Sequence, residues 1–197
     1  MAFEPVNPKL KELVIKTRSY RRFDESHPVS YKTLESLVDL ARLSASGANR
    51  QPLKYLIYNT PDGCKRIFPS IVWAAYLKDW DGPEPGERPA GYIIILGDKS
   101  ITDVFGVDHG IAAQSMMLGA TESGLGGCMI ASIKRDLLRN ELKIPDRFEI
   151  LLILALGKPV ERVIIEEIKD GDVKYWRDAE RNHHVPKRPL NELIIKL

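Results

Sequence analysis

The residues best suited to chemistry in this chain are cations and small polar groups placed near turns. Arg18-Ser19-Tyr20-Arg21-Arg22 puts three guanidinium groups and a serine hydroxyl within five residues. Such a segment can cradle a phosphate or another dianion, because guanidinium forks meet paired anionic oxygens. The same cations also suit a solvated helix C-terminus, where backbone carbonyls carry partial negative charge. Ser44-Ala45-Ser46-Gly47-Ala48-Asn49-Arg50-Gln51-Pro52 is rich in small residues that let backbone approach a ligand closely. Asn49 and Gln51 there offer donors and acceptors suited to the polar edge of a heteroaromatic ring. An ordinary helix-to-strand loop has the same composition. Lys187-Arg188 sits between Pro186 and Pro189, which hold the dipeptide extended and present two cations to an anion or to solvent.

Other chemistries lack their signatures. There is no P-loop, no G-x-S-x-G elbow and no H-E-x-x-H. GLGG at Gly124–Gly127 follows a helix and precedes a strand, the reverse of a dinucleotide fingerprint, and reads as a helix C-terminal turn. His183 and His184 are adjacent, so an extended backbone sends them to opposite faces; they read as surface histidines, and no metal site is expected. Cys64 and Cys128 cannot build a disulfide framework or a four-sulfur zinc site. With 29 basic and 27 acidic residues, the net charge of +2 is too small for an electrostatic grip on nucleic acid.

These residues are positioned by a regular alternation of elements. Asn7-Pro8 opens a helix with Leu10, Leu13, Val14 and Thr17 on one face, and Ser30 caps a second with Leu34, Leu37, Val38 and Ala41. Strands are expected at Leu53–Asn59, Gly91–Gly97, after Gly127 and over FEILLILALG; short helices at 62–68 and 134–142. Asp108–Ser123 is apolar on most faces and reads as an enclosed helix. Asp79–Ala90 is a Pro-, Gly- and acid-rich surface loop. The order is α, α, β, α, β, α, β, α, β and an extended tail, an α+β arrangement in one domain. Its apolar end, NELIIKL, is expected to dock on a sheet edge, a partner's included. The 197 residues are 44% hydrophobic, enough for a sizeable core. Met1–Leu10 is too polar for a signal peptide, and the longest apolar run, Ile150–Leu156, is far short of the ~20 residues of a membrane span. A soluble, cytoplasmic protein is expected.

Taken together, TRSYRRF, SASGANRQP, DHGIAAQSMML, GLGGC, and LGKPV with KRPL resemble, in order, the motifs of the FMN-dependent nitroreductase family over Val14–Leu190. The resemblance implies a central mixed β-sheet flanked by helices, spanning residues 1–197 as a single FMN-binding domain. It implies a lid-like insertion at about 71–90 and a C-terminal arm at about 158–197 exchanged in a homodimer. Carried over by position, Arg18 and Ser19 lie at the FMN phosphate, Tyr20 beside them is cofactor-binding, and Arg21 lies near the ribityl chain and pyrimidine edge. Ala45, Ser46 and Gly47 line the flavin from the neighbouring subunit, with Asn49 and Gln51 close by. Met129, Ile130, Ala131 and Ser132 supply backbone contacts near N5 and O4, and Lys187 with Arg188 completes the phosphate clamp. Thr17 stands where the family usually has its first arginine, and Ala45 replaces the usual proline.

The implied activity is an NAD(P)H-dependent FMN oxidoreductase. Hydride passes to the flavin N5, and a small organic acceptor of nitroaromatic, quinone or enone type is then reduced in the same pocket. No protein nucleophile or acid–base pair is required, because the flavin carries the chemistry and Arg21 tunes it. Trp73, Tyr76 and Trp80 are candidates to stack over flavin or acceptor, or to be core, and Asp81–Pro89 is a candidate lid. Reductive dehalogenation or flavin cleavage on the same fold, and a non-catalytic FMN-binding or nucleotide-sensing module, are the alternatives.

Overall fold

Asn7 Oδ1 accepts the Lys9 amide at 2.9 Å and starts α1 (Pro8–Lys16) as its cap and proline signal require. This is the first element of a computed structural model that describes residues 7–196. Residues 1–6, at the start of the segment judged too polar for a signal peptide, lie outside the described residues, as does Leu197 of the apolar tail. Ser30 caps α2 (Tyr31–Leu43) through the Thr33 amide. There follow β1 (Phe23–Asp24) ahead of α2, β2 (Leu53–Tyr58), α3 (Pro61–Ile67), β3 (Gly91–Asp98), α4 (Asp108–Glu122), β4 (Gly126–Ile130), α5 (Arg135–Leu142) and β5 (Phe148–Pro159). Gly124, at φ 75°, ends α4 in a left-handed turn, so GLGG acts as expected from its place in the chain.

The central sheet runs β1-β5-β3-β2, with β4 also on β5. These strand pairings are antiparallel; parallel pairing enters through the Ser19–Gly127 bridge and, in a second sheet, between β6 (Val163–Glu167) and β8 (His183–Lys187). All of β3 is buried, which explains its unbroken apolar run. Ile93 and Ile95 face α2 and α4, while Tyr92, Ile94 and Leu96 face α3 and α5. Ile95 pairs with Leu152 and Leu96 with Ile150, so β5 carries a bulge at Leu151. The bulge moves Ile150 onto the α3/α5 side while Leu152 stays on the other.

Three expectations need correction. The apolar face of α1 is only partly covered by this chain: Leu13 is half-buried and Thr17, just past the helix, is buried, but Leu10 and Val14 are exposed and no residue of the helix itself is buried. α4 is not enclosed either. Met116, Met117 and Ala120 pack inward, but Val107 before it is 72% exposed and Ile111 also faces outward. The tail beyond Lys158 is more than an extended arm. β6 and β8, with β7 (Trp176–Arg177), form a three-stranded sheet, followed by the short α6 (Leu190–Leu193). Leu190, Leu193, Ile194 and Ile195 are exposed, so the apolar end docks on no sheet edge of its own chain. No helix among the described residues is long and apolar enough to cross a membrane.

Candidate functional site

The arginine segment lies between α1 and β1, and the structure gives its members different tasks. Thr17 is buried; its hydroxyl donates to Leu13 O at 2.8 Å and meets Thr121 Oγ1 of α4 at 3.0 Å. Arg18 donates from Nε to Thr17 O at 2.6 Å and from Nη2 to Val14 O at 3.0 Å, capping the end of α1 with one edge of its guanidinium. Its Nη1 is not used in those bonds. Ser19 is exposed and bridges to Gly127, and the Tyr20 amide donates to Gly127 O at 2.9 Å, holding the segment along β4. Arg22 is consumed by a bidentate ion pair with Glu87, at 2.6 and 2.5 Å.

Arg21 is buried and joins distant parts of the chain. Its amide donates to the Glu161 carboxylate, and Nη1 donates to Ser19 O at 3.2 Å and to His183 Nε2 at 3.1 Å. The guanidinium also lies over the Tyr175 ring, 4.8 Å from its centroid. Glu161, its side chain fully buried, pairs with Arg177 at 3.1 Å. His183 is 1% exposed, so the surface reading fails for it. Burial, then the charges of Arg21 and Arg177, push its pKa down to about 4, so the neutral ring accepts from Arg21. His184 does face the other way, stacked on Trp176 at 4.0 Å and set between Glu166 and Asp178. It too is largely covered. The polar tail gave no periodic signal for this network, and Glu161, Tyr175 and Arg177 were not singled out from sequence.

Lys187 and Arg188 lie four and five residues beyond His183, so the first is about 13 Å along β8 from the Arg21 contact. Lys187 is exposed; Arg188 pairs with Glu192 at 3.0 Å. No hydrogen bond or ion pair among the described residues joins either to Arg18.

The Ala45–Gln51 loop follows α2 and is held by one carboxylate. Asp108, buried in the first turn of α4, accepts from Ser46 Oγ at 2.6 Å and from the Gly47 amide at 2.9 Å. Ser46 Oγ in turn accepts from the Gln51 amide, and Gln51 Nε2 donates to Asn49 Oδ1 at 3.1 Å. Ala48, Asn49 and Gln51 all take left-handed backbone, with φ of 51°, 53° and 51°. Such strain persists only where surrounding bonds over-determine it. A cavity of about 220 Å³ opens beside the loop, lined by Ala45, Ser46, Gln51, Tyr55 and Asp108 among others. Asp108 escaped the sequence reading as a site residue, although it opens the DHGIAAQ motif.

At the end of β4, Met129 is half-buried and Ile130 buried, while Ala131 and Ser132 are exposed. Ser132 O accepts the Val72 amide at 3.0 Å, which ties this stretch to the 71–90 insertion. Within the insertion Trp73 is buried in the core, with Phe68 and Trp80 against it. The backbone of Gly82 lies so close that a Cβ would fall 2.5 Å from the Trp73 ring. Trp80 is half-buried under Arg177, and Tyr76 is exposed beside Tyr175. The second half of the insertion is tied to the rest of the chain at Glu87. Glu87 binds Arg22 and Arg181, and its carbonyl accepts the Phe23 amide.

An antiparallel sheet between two helical layers, with a cationic linker at one end and a strained loop clamped by a helix N-terminal carboxylate, defines an α+β fold. The model described as Nitroreductase family matches residues 14–158, and the chain belongs to that family. A Bacillus subtilis (strain 168) protein named "Putative NAD(P)H nitroreductase YodC" is 23% identical over 179 aligned positions, covering 75% of this chain and 89% of that protein. A crystal structure of a nitroreductase family protein from Clostridium difficile 630 superposes with a TM-score of 0.62 at 25% identity, over 81% of this chain and 86% of that one. An FMN-dependent nitroreductase from Clostridium difficile R20291 shares the fold, with a TM-score of 0.59 at 21% identity, over 85% and 92% of the two chains.

Proposed function

We propose that the chain is an FMN-dependent oxidoreductase that takes electrons from NAD(P)H and reduces a small organic acceptor of nitroaromatic, quinone or enone type, working as a homodimer. The observation that carries this reading is the Ala45–Gln51 loop. A buried carboxylate fixes Ser46 and Gly47, and Ala48, Asn49 and Gln51 just beyond them take left-handed backbone, which supports a surface organised in advance for a ligand. The names of the relatives point the same way.

The donor chemistry of the residues supports the cofactor. Arg18 Nη1, the Ser19 segment and the Lys187 ammonium offer donors to a phosphate. Arg188 can join them, because an exposed pair such as Arg188–Glu192 is worth only about 0–1 kcal/mol. Arg21, fixed by Ser19 O and His183, places positive charge beside the pyrimidine edge and favours negative charge there. Ala45, Ser46 and Gly47 of a second copy line the ring, with Asn49 and Gln51 at its polar edge, and the Met129–Ser132 backbone borders the reacting side. Tyr76 and Trp80 flank the acceptor, and Trp73 backs Trp80 from the core. When bound, FMN supplies the two-electron carrier between nicotinamide and acceptor. The exposed apolar residues Val107, Ile111, Leu193, Ile194 and Ile195 support a second copy as the partner that covers them.

Anaerobic absorbance titration of the purified, FMN-reconstituted protein with NADH and NADPH tests the reading. Bleaching of the flavin band is expected. Protein that takes up no FMN refutes it, and bound flavin that stays oxidised with both donors makes the chain a binding module instead.

A further inference from the structure

A second cavity, of about 270 Å³, lies on the α3 side of the sheet, between the turn after β1, α3 and the start of β3. None of the residues assigned to the proposed flavin site lines it. Its walls are largely apolar, with Pro28, Pro61, Pro89 and Phe68 among them. Two of its polar groups lack partners. Tyr92 is 1% exposed, and its hydroxyl has no hydrogen-bond partner among the described residues. Arg88 lies with Cζ 4.3 Å from the centroid of the Phe68 ring, and its buried Nε also has no partner. Leaving buried donors unmade is costly, and native proteins rarely do so without a reason.

The surrounding charge favours an anion. Arg88 and Lys65 oppose one carboxylate, Glu25, whose Oε2 already accepts the Gly86 amide at 2.5 Å. Burial raises the Tyr92 pKa well above its usual value, so the phenol keeps its proton and can donate. The volume is just below the ~300–1,000 Å³ of sites for drug-sized ligands, which calls for something smaller. We propose that this cavity binds a small organic monoanion, a carboxylate on a compact apolar body, with its oxygens taken by the Arg88 guanidinium and the Tyr92 hydroxyl. The proline wall and Phe68 exclude water from the body, and the single net positive charge disfavours dianions and cations. This site is separate from the proposed flavin chemistry and stands or falls without it.

Cys64 lines the same cavity and reports on it. Burial, then the charge of Glu25, raises its thiol pKa to about 11, so it reacts slowly but measurably. Full-length protein is treated with N-ethylmaleimide at mildly alkaline pH, with and without benzoate, and Cys64 modification is followed by peptide mass spectrometry. Cys128, which is buried, serves as the internal reference. Benzoate at about ten times its dissociation constant is expected to slow Cys64 modification about tenfold, saturably. Arg88→Gln should raise the half-protecting concentration about tenfold or more, and Tyr92→Phe, which keeps the ring in place, about fivefold. Benzyl alcohol, the neutral counterpart, should not protect. Modification that is indifferent to benzoate, equal protection by benzyl alcohol, or protection unchanged in both variants overturns the proposal. If Arg88→Gln does not fold, Tyr92→Phe and the neutral probe decide it.

Discussion

Arg18, Arg21 and Arg22 are one cationic run in the chain but three different devices in the molecule. Arg22 is neutralised by Glu87, whose carboxyl pKa is lowered chiefly by that hydrogen bond. Arg21 is joined to His183 of β8, and Arg18 covers the end of α1 with one edge of its guanidinium, leaving Nη1 out of those bonds. Their type and spacing were legible in TRSYRRF; their availability was not, because Glu87 lies 65 positions from Arg22 and His183 lies 162 from Arg21. Of the two readings of the segment, the helix C-terminal one describes what Arg18 does within the chain, and the anion cradle belongs to the proposed function. If Arg18 and Arg188 share a phosphate, losing two charge-assisted contacts in the double variant Arg18→Ala/Arg188→Ala should raise the FMN dissociation constant about 100-fold or more. Stability of the flavin-free protein should change by no more than about 1 kcal/mol, since both side chains are partly or fully exposed. Fluorescence titration with FMN and a urea melt measure the two effects.

At the scale of elements, local patterning served the central strands and helices well and the tail poorly. The unbroken apolar run of β3 and the caps of α1 and α2 are local properties, and the structure has them where the sequence puts them. The β6–β8 sheet has no such pattern, because its burial is concentrated at a few positions: Glu161, His183 and, in part, Tyr175 and Arg177. This docking makes stability depend on pH. His183 has a folded pKa of about 4 against an unfolded value near 6.5, so between those values the unfolded chain binds the extra proton. Stability is therefore fully present above about pH 6.5 and falls as the pH drops toward 4, by less than the ~1.4 kcal/mol per unit that one fully shifted proton gives. His183→Gln, which still offers an acceptor to Arg21, should flatten that slope. Urea denaturation at a series of pH values between these limits checks it, and an unchanged slope would mean that His183 does not hold the tail as described.

Several large apolar residues among those described stand exposed to solvent. Val107 at 72% and Ile195 at 79% exposure lie on separate elements, and no residue of α1 is fully buried. Large exposed apolar patches mark interaction sites. In the homodimer proposed above, the terminal segment supplies part of the contact, so truncation after Pro189 should weaken dimerisation about tenfold or more while leaving the central sheet folded. Sedimentation equilibrium compares the two chains, and a truncated protein that dimerises as tightly as the full one would show that the arm is not exchanged.

From the order of residues alone follow the sequence of core helices and strands, the helix caps, the buried run of β3 and the motifs that mark the family. All of these rest on short-range periodicity, capping chemistry or the conformational demands of single residues. Which cations are neutralised, which face of α4 stays open, why His183 is buried, and that Asp108 clamps the Ser46–Gly47 backbone were decided by tertiary structure. Each depends on groups brought together from far apart in the chain, and the electrostatics of a buried pair follows from who its neighbours are in space.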